Sequence, residues 1–174
     1  MRLSILICDY GNSEELIKNL NEDIKNNKLK DDVQVLVDKS YEQTDGVRKN
    51  RLLLMATGKF IVFLNEKDIV REDFTSTICN NIQYADRVDC IVFNGKIVKD
   101  LEENKMNISI ENSKWYKEKN IIYRQPTYYT PIKREIALKV GFTNSGEDFI
   151  YSNYVFSHLK KQIQIKDYLY TEII

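Results

Sequence analysis

The 174-residue chain has one histidine, two prolines, six glycines and three cysteines. Each scarcity closes off a class of protein. A lone His158 and three scattered thiols, Cys8, Cys79 and Cys90, with no C-x-x-C pair, offer no donor set of the kind that holds zinc. An odd number of widely spaced cysteines reads as reduced, buried thiols in a reducing compartment, so a cytoplasmic location is expected. So few prolines and glycines leave no room for a long linker or a low-complexity tract. Lysine plus arginine equals aspartate plus glutamate at 26 each. The protein therefore has no overall field to draw in nucleic acid or an anionic membrane. No run of 18 apolar residues occurs, so no membrane span is expected. The opening "MRLSILICDYG" has too short an apolar run for a signal peptide and reads as a strand. The length suits one domain, which at this size buries roughly 70% of its unfolded surface.

What is present is an alternation. "LSILIC" (3–8), "VQVLV" (33–37), "KFIVFL" (59–64) and "DCIVFN" (89–94) are short apolar runs, the pattern of strands buried on both faces. Between the first two, Asn12 and Glu15 have the spacing of a capping box, followed by Leu16, Ile17, Leu20 and Ile24 at helical period to about residue 28. Residues 45–57 read as a second helix with Gly58 as its C′ glycine. Phe74, Ile78 and Ile82 mark a third. Three strand–helix alternations imply a parallel sheet with helices on its faces. The polar, aromatic stretch 95–130 suggests strands near 107–111 and 120–124. "KREIALKVGF" reads as a short helix ended by Gly141, "GEDFIYSNYVFSHLKK" as a helix with acids in its first turn, and "QIQIKDYLYTEI" as one or two strands.

Sheets of this kind bind ligands at the carboxyl ends of their strands. That singles out Asp9 and Tyr10, Asp38 and Ser40, and the cluster Asn65-Glu66-Lys67-Asp68 after the third strand. Tyr10 can lay a ring against a flat ligand or simply cover the core. Arg48 and Lys49 can meet phosphate, although charges on a helix face are ordinarily solvated. His158 reads as a surface or helix-end residue.

In order along the chain, "SILICDYGNSEEL", "VLVDKS", "GVRKNRLLLMATGKFIVFLNEKD", "PIKREIALKVGFTNSGEDFIYSNYVF" and "IKDYLYTEI" resemble the segments of family 2 glycosyltransferases. The resemblance implies a single-domain α/β fold of GT-A type: a Rossmann-like mixed sheet with helices on both faces. Residues 1–94 would form the nucleotide-binding half and 95–174 the acceptor and catalytic half. The implied reaction moves a sugar from a nucleotide-diphosphate donor, a UDP-sugar first, to an acceptor hydroxyl with inversion.

The residue roles follow position by position. Asp38 would accept a hydrogen bond from the base, with Asp9, Tyr10 and Arg48 around the nucleotide. Asn65 stands where the family has a ribose-contacting Asp, and an amide can make the same bond. Lys67 stands where the family has an acid of its Asp-x-Asp metal motif. A lysine cannot ligate Mg²⁺ or Mn²⁺ but can neutralise diphosphate as a point charge. Asp68, or Glu66, remains the candidate metal ligand. In "SGEDF", Asp148 is the better match for the general base and Glu147 its neighbour. The implied acceptor is a carbohydrate or another hydroxyl compound, a hypermodified nucleic-acid base included. Two rival readings are a catalytically degenerate nucleotide-binding protein, which Lys67 favours, and a scaffold without enzymatic activity, since fold alone does not fix function.

Overall fold

The computed structural model describes residues 1–85 and 87–174. Its elements run β1 (Leu3–Cys8), α1 (Glu14–Asn26), β2 (Val33–Asp38), α2 (Asp45–Met55), β3 (Phe60–Asn65), β4 (Ile69–Val70), α3 (Phe74–Ile82), β5 (Cys90–Lys99), β6 (Glu102–Ile108), β7 (Tyr116–Glu118), β8 (Ile121–Arg124), β9 (Ile132–Lys133), α4 (Arg134–Val140), α5 (Asp148–Phe156) and β10 (Gln162–Ile173). The strands form one mixed sheet of order β2-β1-β3-β9-β5-β6-β8-β7, with β10 paired to β5 and β4. Every residue of β1 is buried, as its unbroken apolar run requires. From β1 the chain crosses to β2 on one side, then back over β1 to β3 on the other. Right-handed crossovers in opposite directions put α1 and α2 on opposite faces. Accordingly α1 packs with α3, while α2 packs with α4. No helix among the described residues is long and apolar enough to cross a membrane.

Several local expectations are corrected. Asn12 and Glu15 form no capping box. The residue before α1 is Ser13, and the Asp9 carboxylate accepts the N–H groups of Gly11, Asn12 and Ser13 instead. Gly11, at φ +103°, turns the chain so that these three donors converge on one oxygen. Helix α2 stops at Met55, and Gly58 does not cap it. Gly58 is needed because its backbone lies against β1: a Cβ there would sit 2.5 Å from the Ser4 nitrogen.

The fourth strand does not pair with the third. Two residues of β9 slip between them antiparallel, joining Ile61 and Cys90 to the same Ile132. Strand β5 then runs on past Asn94 to Lys99 and turns through Asp100 and Leu101, at φ 49° and 70°, into β6. Two consecutive positive φ values are the geometry of a tight two-residue hairpin. The strand expected at 107–111 lies earlier, at Glu102–Ile108, because it pairs with this extension of β5.

Candidate active site

The register of the parallel strands sets the site. Cys8, the last residue of β1, is opposite Asp38 on one side and Asn65 on the other. Two strand spacings of about 4.8 Å put Asp38 and Asn65 roughly 10 Å apart. The loop 9–13 lies between them and is bound to the third-strand loop. Glu66 accepts the Tyr10 N–H at 2.5 Å, the Asn12 N–H at 3.2 Å and the Asn12 Nδ2 at 2.9 Å. Asp9 is buried, which works against its ionisation, yet the donated N–H groups outweigh this and lower its pKa. Its other oxygen faces Lys39 at 3.7 Å. Asp9 therefore builds the loop.

Arg48 is not on a solvated helix face: it is 0% exposed. One guanidinium nitrogen donates to the carbonyls of Asp9 at 2.7 Å and Asp38 at 2.6 Å, clamping two strand ends together. The guanidinium also lies 4.2 Å beneath the Tyr10 ring. The Tyr10 hydroxyl donates to Asp45 at the start of α2, and Tyr41 stands beside it at 6.3 Å. Tyr10 and Tyr41 are both exposed. The result is an aromatic shelf backed by a buried cation.

Asp38 is buried but ionised, its pKa lowered because the Ser40 and Arg51 hydrogen bonds outweigh desolvation. Ser40 donates both its N–H and its hydroxyl to Oδ1, and Arg51 donates two nitrogens to Oδ2. These donors fill the roughly four lone-pair positions of a carboxylate. Asp38, Ser40 and Arg51 border an open groove of about 380 Å³ with Leu36 and Met55.

The loop after β3 is corrected most. Asp68, the candidate metal ligand, is buried and accepts the Asn65 N–H at 2.9 Å and the Tyr170 hydroxyl at 2.6 Å. Burial raises its pKa to about 6, and those two bonds only partly offset it. Glu66 is occupied by the donors of loop 9–13. No group of three or more His, Cys, Asp or Glu side chains suited to a metal occurs among the described residues. Asp68 Oδ2 and both Glu66 oxygens are engaged, and the residue between them in sequence is a lysine, a set that does not suit Mg²⁺ or Mn²⁺. Lys67 is exposed, has no hydrogen bond or ion pair among the described residues, and lines a cleft of about 440 Å³ with Asn12, Glu66 and Asp68. The Asn65 Nδ2 donates to the Tyr128 hydroxyl at 2.9 Å.

Asp148 begins α5, with exposed Glu147 as the residue before it. The loop that delivers it is latched to α2. Gly46 N–H donates to the Asn144 carbonyl at 3.1 Å, and Asn50 exchanges two bonds with the backbone of Phe142. Lys49 Nζ donates to the Gly146 carbonyl at 2.9 Å while lying 4.0 Å over the Tyr128 ring. The fit is tight: a Cβ on Gly46 would come within 1.6 Å of the Thr143 oxygen. Asp148 Oδ1 is buried with no hydrogen-bond partner among the described residues, and Oδ2 lies 4.0 Å from Arg124. Burial raises the Asp148 pKa to about 7; Arg124 and Lys49 pull it down, and Glu172 pushes it up. A carboxyl group titrating near neutrality beside a cation is suited to taking a proton.

The structure thus gathers Asp9, Tyr10, Asp38, Arg48 and the Asn65–Asp68 loop at one end of the sheet, with Asp148 held beyond Tyr128. His158 is exposed, its N–H bonded to the Val155 carbonyl. The sequence reading missed Arg124, Tyr128, Glu172 and Trp115. Only Arg124 left a signal, a charge closing an otherwise apolar strand.

No protein-family model and no curated protein matches the chain. Solved structures do match it. Against TarS 1–349 of S. aureus in complex with UDP-GlcNAc the TM-score is 0.68 at 14% identity, covering 100% of this chain and 59% of that one. The same TarS fragment in complex with UDP gives 0.66 at 14% identity, over 100% and 61%. The mannosyltransferase PcManGT of Pyrobaculum calidifontis, in complex with GDP-Man and Mn²⁺, gives 0.58 at 14% identity, over 98% and 56%. The chain spans less than two thirds of each of these structures. Its fold is that of the GT-A glycosyltransferases.

Proposed function

We propose that this chain transfers a sugar from a nucleoside diphosphate donor, UDP in the first instance, to an acceptor hydroxyl with inversion. The observation that carries the proposal is Asp148: a carboxyl with one buried oxygen that has no partner among the described residues and a pKa near 7, on a loop pinned to the helix that backs the strand-end loops. The GT-A neighbours, solved with UDP-GlcNAc, UDP and GDP-Man, support a nucleotide-sugar donor.

The base lies on the shelf of Tyr10 and Tyr41. Asp38 receives its ring N–H once the half-exposed Arg51 swings away from the carboxylate. Asn65 binds ribose. The acceptor O–H gives its proton to Asp148 as its oxygen attacks the anomeric carbon from the side opposite the leaving group. The bond from that carbon to the diphosphate oxygen breaks, and the nucleotide leaves with the electron pair. Lys67 supplies the positive charge that the resemblance assigns to Mg²⁺ or Mn²⁺, because developing charge on the leaving group needs a fixed cationic partner. Residues 1–94 bind the donor, and residues 95–174 supply the base and the acceptor surface.

Calorimetry with UDP and assay of UDP-sugar turnover test this reading. Asp38→Ala is expected to weaken UDP about tenfold or more, since a hydrogen bond to a charged group is worth roughly 1.5–3 kcal/mol, whereas Arg51→Ala leaves affinity unreduced. If no nucleotide or sugar nucleotide is bound or turned over, the inactive-scaffold reading replaces it. The second reading, binding without transfer, is favoured by Lys67. It is the answer if UDP binds and no acceptor or water ever receives the sugar.

A further inference from the structure

Strand β2 closes one edge of the sheet. Its parallel register with β1 runs unbroken from Val33 to Asp38. The Asp32 carbonyl accepts from Leu3 and the Asp38 carbonyl from Asp9. Backbone groups alternate along a strand, so Gln34, Leu36 and Asp38 turn theirs toward β1 while Val33, Val35 and Val37 turn theirs outward. The Val33 N–H is used locally, donating to the Leu29 carbonyl at 3.0 Å. The N–H and C=O groups of Val35 and Val37 have no hydrogen-bond partner among the described residues. Exposed edges are ordinarily blunted by shortness, charge, proline or a bulge. The opposite edge is blunted in this way: β7 has three residues, all exposed, two of them Lys117 and Glu118. From Val33 to Val37, β2 carries none of these devices. Beside it, α2 leaves apolar side chains in water: Val47, Leu54 and Met55 are 40%, 71% and 55% exposed. With Arg51 they fall at i, i+4, i+7 and i+8, one stripe of a helix. Arg51 and Met55 line the same groove as Leu36, so the stripe adjoins the edge.

We propose that β2 pairs antiparallel with β2 of a second copy of this chain, about a two-fold axis normal to the sheet at Leu36. In that register Val35 lies opposite the partner's Val37 and exchanges both backbone hydrogen bonds with it. Val37 does the same with the partner's Val35, so all four free groups of each copy are used. Leu36 meets the partner's Leu36 as a close pair between those bonds. Leu36 shares a face with Asp38, which Arg51 of α2 holds, so the Leu36 pair forms on the α2 side. The same axis sets Val47, Leu54 and Met55 beside the identical stripe on the partner's α2. Charge does not oppose the contact. Asp38 falls opposite the partner's Gln34, Arg51 is paired with Asp38, and the chain has zero net charge. A foreign peptide strand would satisfy the backbone of β2 but leave the α2 stripe in water. A second copy covers both, and a two-fold contact closes on itself instead of growing into a fibre.

Pairing of this kind does not depend on the donor or on Asp148, so its test is separate from theirs. Sedimentation velocity of the whole chain is run between about 1 and 100 μM, a range in which a micromolar complex dissociates. A species of twice 20.6 kDa is expected, and nothing larger. Hydrogen exchange at the Val35 and Val37 amides locates the contact, because no other dimer would shield those two groups. Both should exchange more slowly where the dimer is populated than after dilution. The double variant Leu54→Glu, Met55→Glu, at exposed positions that do not hold the core, should raise the dissociation constant about tenfold or more, the equivalent of one apolar side chain left unburied. It should also lose the slowed exchange while keeping the wild-type circular dichroism spectrum. A monomer at every concentration overturns the proposal and leaves the edge to a foreign strand. A dimer whose Val35 and Val37 amides exchange as fast as in the diluted protein overturns it too, as does a series of ever larger assemblies.

Discussion

Lys49 reaches from the middle of α2 to the carbonyl of Gly146, 2.9 Å away and two residues before Asp148. The same helix touches the proposed nucleotide shelf through Asp45, which accepts the Tyr10 hydroxyl, and through Arg48, which clamps the ends of β1 and β2. One helix therefore contacts both the proposed nucleotide shelf and the loop that carries Asp148. Lys49 is buried, and desolvation lowers its pKa despite Asp45, Cys8, Asp148 and Asp68 nearby. Under the proposed function it is a positioning residue, since its bond goes to the loop before Asp148.

Lys49→Met keeps the length of the side chain and removes the bond. At saturating donor, kcat is expected to fall about tenfold or more, the equivalent of one hydrogen bond to a charged group, with UDP affinity changed by less than about threefold. Equal losses in kcat and in UDP affinity would make Lys49 part of the donor site.

The rate should rise with pH through about 7, because Asp148 must be ionised to accept a proton and burial holds its pKa there. Asp148→Asn should lower turnover by roughly 10²-fold or more, the usual share of a general base, while UDP still binds. A flat pH–rate profile between 5.5 and 8.5 would assign the proton transfer to another group.

Stability has the opposite sign. The folded pKa of Asp148 is raised above its unfolded value of 3.8 to about 7, and that of Asp68 to about 6. Between pH 4 and 7 the unfolded chain loses these protons first, so stability falls as pH rises across that window. Melting curves of Asp148→Asn should show a shallower fall from pH 5 to pH 8 and a higher Tm at pH 8 than wild type. An unchanged slope would show that Asp148 is well solvated.

Turnover and UDP binding should survive EDTA and drop in Lys67→Ala. The basis is that Asp68 Oδ2 and Glu66 are engaged by Asn65, Tyr170 and loop 9–13, while Lys67 has no hydrogen bond or ion pair among the described residues and lines the cleft. Loss of activity in EDTA, restored by Mn²⁺, together with a silent Lys67→Ala, would return the loop to metal binding.

The strands β1, β2 and β3 and the helices α1 and α3 were legible because each is a local pattern: an unbroken apolar run, or apolar residues at a period near 3.6. The placement of Asp38 and the Asn65–Asp68 loop at one sheet end followed from the same patterns, since parallel strands align their carboxyl ends. Gly141, at φ +62°, ended α4 as read, because a positive φ leaves few residues to choose from.

Tertiary structure decided the rest, and long-range partners are the physical reason. Nothing adjacent to Arg48 or Lys49 reveals that carbonyls of Asp9, Asp38 and Gly146, up to 97 residues away, take them out of water. Asp68 looked available because its consumer, Tyr170, comes 102 residues later. Asn12 read as the cap of α1, but Glu66, 54 residues later, holds its side chain, and Asp9 accepts the N–H groups of the turn instead. The sequence alone determined which segments are strands and helices and where the polar clusters fall. Which of those polar groups hold the fold together and which are left free for a ligand was decided only when distant donors and acceptors met, because a buried polar group needs a partner and the chain does not say locally where that partner is.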